Sequence, residues 1–170
     1  TGVVYGIGKE DTLQVASGAT VLFNTVPSWA KKIVIGIDAL SFSTTSVILS
    51  LQIGPTGGLE TTNYNSGGMG LAGTTATRFS SAAGNSFVLV NSAAAATTAA
   101  CQLYGTITLD LMQASSNKWT LTSQIYNNDT TDSYYSMAGA KSLAGTMTQL
   151  QLAVSVGTMD AGNVNVTYIG

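Results

Sequence analysis

Ser46-Val47-Ile48-Leu49-Ser50-Leu51-Gln52-Ile53-Gly54 decides the fold class. In an extended chain, successive side chains point to opposite faces. Val47, Leu49, Leu51 and Ile53 therefore share one face, with Ser46, Ile48, Ser50 and Gln52 on the other. That is the pattern of a half-buried strand. Immediately upstream, residues 31–40 (KKIVIGIDAL) carry Ile33, Val34, Ile35 and Ile37, too branched and too short for a helix. The same reading extends to 19–23 (ATVLF), 86–90 (SFVLV), 104–112 (YGTITLDLM), 118–126 (KWTLTSQIY), 146–156 (TMTQLQLAVSV) and 163–169 (NVNVTYI). In 104–112, Gly105, Ile107, Leu109 and Leu111 oppose Tyr104, Thr106, Thr108 and Asp110. In 146–156 the apolar face is Thr148, Leu150, Leu152, Val154 and Val156.

These eight strands, with weaker candidates at 59–64 and 134–139, predict an all-β antiparallel sandwich. It is jelly-roll-like, with eight to ten strands in one domain. The best helical competitor, the Ala-rich run 91–103, lacks caps and is interrupted by Ser92, Thr97 and Thr98, so it is expected to be a loop. Residues 55–85, 91–100 and 127–133 read as long neutral surface loops. Residues 1–18 read as an extended N-terminal segment that could dock on a neighbour, and 19–170 as the sandwich domain.

Composition narrows function. Of 170 residues only 8% are charged, against about 25% in ordinary domains. The polarity has moved into 24 Thr and 18 Ser. Six Lys plus Arg and a net charge of −2 cannot neutralise a run of phosphates, which excludes nucleic acid as a partner. No apolar run is long enough for a membrane-crossing helix. The chain has no His, so imidazole-based triads and His-zinc sites cannot be built. The lone Cys101 reads as a small buried apolar residue.

Acid–base chemistry is left to eight scattered carboxylates, and a glycoside hydrolase would need a pair such as Asp129 and Asp132. No flanking pattern supports one, so no catalytic residue and no cofactor is expected. Asn127-Asn128-Asp129-Thr130-Thr131-Asp132 offers calcium-type oxygen ligands but lacks the spaced loop pattern and its terminal Glu. A hairpin loop capped by its own Asn and Asp side chains explains the run more simply. Tyr64, Tyr126, Tyr134 and Tyr135 fall in or beside expected loops. Tyr64, Tyr134, Tyr135, Asp129 and Asp132 are therefore the candidate contacts to a partner protein or glycan. Trp29 and Trp119 are expected to anchor the core or a hairpin.

Four stretches carry a resemblance: Val26-Pro27-Ser28-Trp29-Ala30-Lys31-Lys32-Ile33-Val34-Ile35; Leu51-Gln52-Ile53-Gly54 followed by Gly57 to Tyr64; Gly105-Thr106-Ile107-Thr108-Leu109 with Asn117-Lys118-Trp119; and Asp160 to Tyr168. From about residue 19 onward the chain resembles the small jelly-roll domains of tailed-bacteriophage virion proteins. The resemblance implies a viral structural protein made in the host bacterial cytoplasm and placed on the virion exterior. Such domains occur as trimeric capsid decoration, or cement, proteins and as tips of tail or head fibres. A chain that reaches its first strand within about 20 residues fits the stand-alone decoration protein better. The expectation is a non-enzymatic homotrimer contacting the major capsid protein or another virion protein. The alternative is a fibre adhesin that binds a host-surface glycan.

Overall fold

Alternation along residues 46–54 is realised residue by residue: Val47, Leu49, Leu51 and Ile53 are all fully buried. The computed structural model describes the backbone of residues 7–129 and 132–170, and the side chains from residue 16 within that range. Twelve strands follow one another: β1 (Ile7–Val15), β2 (Thr20–Phe23), β3 (Lys32–Phe42), β4 (Ile48–Pro55), β5 (Tyr64–Ala72), β6 (Thr75–Gly84), β7 (Phe87–Asn91), β8 (Leu103–Gln113), β9 (Lys118–Asn127), β10 (Ser133–Ser142), β11 (Met147–Val154) and β12 (Met159–Ile169). Among the described residues the one helical element is a single turn, Ala114–Ser116.

All strand pairs are antiparallel and form two sheets, β2-β11-β4-β7 and β1-β12-β3-β8-β9-β10-β5-β6. The chain crosses between them repeatedly, from β2 to β3 to β4, out to β5 and β6, back to β7, across to β8 and finally to β11. Taking β2, β3, β4, β5, β6, β7, β8 and β11 as first to eighth, the small sheet runs first-eighth-third-sixth. The large sheet runs second-seventh-fourth-fifth. That is the strand order of a jelly roll. Two additions broaden the large sheet: the β9–β10 hairpin is inserted between β8 and β5, and β12 with β1 extends it beyond β3.

Inner faces of both sheets feed one core, including Ile33, Ile35, Leu49, Leu51, Phe87, Ile107, Leu121, Leu150 and Val166. Because the large sheet has twice as many strands, four strands cannot cover it. The Ala-rich run 92–100, a loop as expected, packs against part of the remainder. Its Ala94 lies so close to Gly70 of β5 that a Cβ there would come within 2.9 Å. Its carbonyls are held by Tyr135, which donates to Ala95 O at 2.6 Å, and by the Asn127 amide, which donates to Ala96 O at 3.2 Å.

Several expectations change. Residues 55–85 are not one long loop: β5 and β6 form a hairpin on the rim of the large sheet. The candidate strand 59–64 is mostly loop, ending where β5 begins at Tyr64, whereas 134–139 lies inside β10. Within the N-terminal segment 1–18, Ile7–Val15 runs along β12 from the Ile7↔Ile169 pair to Val15↔Asn163. Residues 1–6 lie outside the described residues. In β11 a register shift between Met147 and Gln149 turns Met147 into the core instead of Thr148. Trp119 is buried as expected, but Trp29 is 44% exposed and lies beside the C-terminal Gly170.

Candidate interaction surface

Strand parity sorts the candidate contact residues. Tyr64 opens β5 facing inward and is fully buried. Its ring meets Phe87 edge-on, with centroids 4.9 Å apart at 89°. Its hydroxyl accepts from Ile53 N–H at 2.8 Å and lies 2.9 Å from Ile53 O and 3.0 Å from Glu60 O. Burial pushes the phenol up to about 12. Buried Lys141 sits 5.4 Å from the centre of the same ring and donates to Glu60 Oε2 and, at 2.8 Å, to Ser142 O. Glu60 Oε1 accepts Ala144 N–H at 2.7 Å. Burial alone would raise the Glu60 carboxyl, but Ala144 N–H and the Lys141 ammonium outweigh it and hold the group below its usual range. This cluster ties the loop before β5 to the end of β10. Tyr64 is a structural residue, not a surface contact.

Tyr135 is likewise fully buried, its hydroxyl fixed on Ala95 O and its phenol raised by that burial. Asp129 is buried as well. The proposed contact set therefore loses Tyr64, Tyr135 and Asp129 from the surface and keeps Tyr134 and Asp132. The two acids do not share a setting: Asp132 is exposed and accepts from the Tyr126 hydroxyl at 2.7 Å, while Asp129 lies in the interior. That hydrogen bond, reinforced by the carboxylate's charge, raises the Tyr126 phenol. In the same loop, Asn127 Oδ1 accepts Asp129 N–H at 3.2 Å and Asn128 Oδ1 accepts Gln102 N–H at 2.7 Å. The Asn127 oxygen caps the hairpin's own backbone, whereas the Asn128 oxygen ties the loop to the residue before β8; Thr130 and Thr131 lie outside the described residues. Among the described residues no group of three or more acidic or Cys side chains converges as a metal site.

The outward face of the large sheet is where the exposed candidates meet. Register places Tyr104 of β8 opposite Tyr126 of β9, Tyr126 opposite Tyr134 of β10, Tyr134 opposite Leu71 of β5 and Leu71 opposite Ala76 of β6. The adjacent row is Thr106, Gln124, Ser136, Met69 and Arg78. Neighbouring strands lie about 4.8 Å apart, so these side chains form a continuous surface. Tyr126 is 41% exposed, Tyr134 38%, Leu71 37% and Met69 50%. Gln124 donates to Ser136 Oγ at 3.0 Å, and Tyr104 donates to Gln102 Oε1 at 2.9 Å, so polar members are bonded to one another across the face. Chemically this is a flat, nearly uncharged aromatic and aliphatic patch bordered by hydroxyls and amides.

Sequence reasoning missed Met69 and Leu71 because it placed them in a loop. Tyr126 was readable, since it shares parity with Thr122 and Gln124. Comparison of the chain with protein-family models, with curated proteins and with solved structures returned no match.

Proposed function

We propose that this chain is a non-enzymatic structural protein of a bacteriophage virion. In its most concrete form it is a capsid decoration protein that trimerises on the capsid exterior and stabilises the shell. The observation that carries the reading is the jelly roll whose large sheet exposes Met69, Leu71, Tyr126 and Tyr134 together on the outward side of β5, β9 and β10. Repulsion between copies is weak at a net charge of −2. Exposed Met69, Leu71, Tyr126 and Tyr134 are the side chain types enriched where proteins meet. The resemblance of the sequence to phage jelly-roll domains supplies the setting, and the major capsid protein is the partner this reading requires.

The test is immuno-electron microscopy of particles from the producing lysate. Label over the capsid faces is the expected result, and an unlabelled particle would overturn it. A fibre adhesin is the second reading, favoured by the Tyr126–Asp132 couple beside Tyr134, where aromatic rings and a carboxylate could meet the C–H face and hydroxyls of a sugar. Label confined to the tail, with cell binding lost in Tyr134→Ala, would select it.

A further inference from the structure

Eight large apolar side chains are conspicuously exposed among the described residues, and they are not scattered evenly. Leu22 and Met112 lie on β2 and β8 and Trp29 and Val156 in separate connections, whereas Met69, Leu71, Tyr126 and Tyr134 lie together on β5, β9 and β10. Opposite borders of that cluster carry opposite charges. Arg78 stands on the rim strand β6, directly across from Met69. Asp132 stands at the far side, where β9 turns into β10, bonded to Tyr126. Among the described residues neither takes part in an ion pair within the chain.

We infer that copies of this chain bind one another here, the β6 rim of one copy seated on the Tyr126–Tyr134 side of the next so that Arg78 meets the neighbour's Asp132. A contact between two different surfaces is heterologous, and it closes into a ring when the rotation per copy permits. Rim and face adjoin at the sheet edge, so each copy presents both halves. Among the described residues β6 is also an edge strand, paired only with β5, and its ten residues include a single charge, Arg78. Its free backbone groups are open to a neighbour, and natural edges left this neutral are uncommon unless covered. The outward face from β9 to β6 spans four strands of nine or ten residues. At about 4.8 Å per strand and about 3.4 Å per residue it offers roughly 600 Å². Each copy gives this face to one neighbour and its β6 rim to the other, so the face alone is one partner's share of one interface, at the small end of the roughly 600–1,000 Å² per partner of stable interfaces. A second copy fits better than a sugar because aliphatic Met69 and Leu71 continue the patch and the charges complement each other across it.

The inference deepens the decoration reading by naming the surface between copies, and it rests on that reading only for the number three. Sedimentation of the full chain across micromolar concentrations should show a trimer that weakens with added salt. Leu71→Glu, an outward substitution, should give folded monomers whose cooperative unfolding temperature no longer depends on protein concentration. Arg78→Glu should weaken association at least tenfold, and combining it with Asp132→Lys should restore most of that loss. A monomeric wild type, a Leu71→Glu variant that assembles normally, or a double variant no tighter than Arg78→Glu would overturn the inference. So would a monomer whose cell binding depends on Tyr134, which would give the patch to a glycan. Unlabelled particles alongside charge-swap rescue would remove the virion reading and leave this interface standing.

Discussion

Deleting one oxygen, in Tyr64→Phe, tests how the small sheet ends. Pairing between β4 and β7 stops at Leu51↔Phe87, so Ile53 has no strand on that side. Tyr64 takes the strand's place: its hydroxyl accepts Ile53 N–H at 2.8 Å, while Ile53 O receives Glu60 N–H at 3.1 Å as well as the Tyr64 hydroxyl. Phenylalanine keeps the ring against Phe87 and leaves Ile53 N–H buried without a partner. Ile53 O retains Glu60. An orphaned buried donor costs about 1–3 kcal/mol, so the expected loss is about 2 kcal/mol. For a chain of this size that lowers Tm by about 4–8 °C. Urea unfolding followed by the fluorescence of buried Trp119 should show a lower midpoint at unchanged slope.

The same variant has a pH signature. The folded phenol titrates at about 12 because it is buried, above an unfolded value of about 10. A raised folded value gives stability that is complete below about pH 10 and is lost as pH climbs toward 12. The gap between wild type and Tyr64→Phe should therefore narrow above about pH 10. A loss under about 0.5 kcal/mol at neutral pH, the range of an ordinary surface change, would refute the argument.

Glu60→Ala strands the buried Lys141 ammonium and should cost about 3 kcal/mol, more than Lys141→Met, which removes the charge itself; chemical denaturation of both checks the order. Because the Glu60 carboxyl is lowered, its contribution is present above about pH 4.3 and fades as pH falls through the folded value, so wild type and Glu60→Gln should converge in acid melts. Gly105→Ala would put a Cβ 2.1 Å from Gln124 O, whereas Gly36→Ala on the neighbouring strand meets nothing within 4 Å. The first should destabilise by about 1–3 kcal/mol and the second should leave Tm nearly unchanged. Cys101 is buried, and that burial pushes its thiol up to about 11. Ellman's reagent at pH 8 should react with it only at the rate of unfolding, and a fast native reaction would contradict the packing.

Legibility tracked how much each segment gives the core. β3, β4, β8 and β9 bury branched or aromatic residues at alternate positions, and their alternation survives translation into sequence. β5 and β6 do not: between them they bury only Tyr64, Gly70 and Phe79, with exposed Met69, Leu71 and Arg78 set among Ser, Thr, Gly, Ala and Asn. Strands that overhang the small sheet carry no apolar stripe, so sequence shows a flexible neutral loop. Parity could have separated the tyrosine pair, since Tyr135 falls in step with buried Met137 and Tyr134 with outward Ser136 and Ala138. The burial of Asp129, and of Tyr64 under Lys141, depends on partners far along the chain, which no local pattern encodes.

The interleaving of the two sheets sets a schedule for the chain's own synthesis. Val21 finds its neighbour in Leu152, Lys32 in Ile169, and Ile33 in both Leu109 and Tyr168. At roughly 5–20 residues per second on a ribosome, β3 waits on the order of ten seconds for β12 to be made. Throughout that interval Ile33, Ile35, Leu49 and Leu51 have only part of the surface they will share. Native packing of either sheet is thus a late, nearly all-at-once event, slow for a chain of this length because its pairings are distant. The same shortage of charge leaves little repulsion between unfinished copies, so association between them competes with native packing while their partners are still missing.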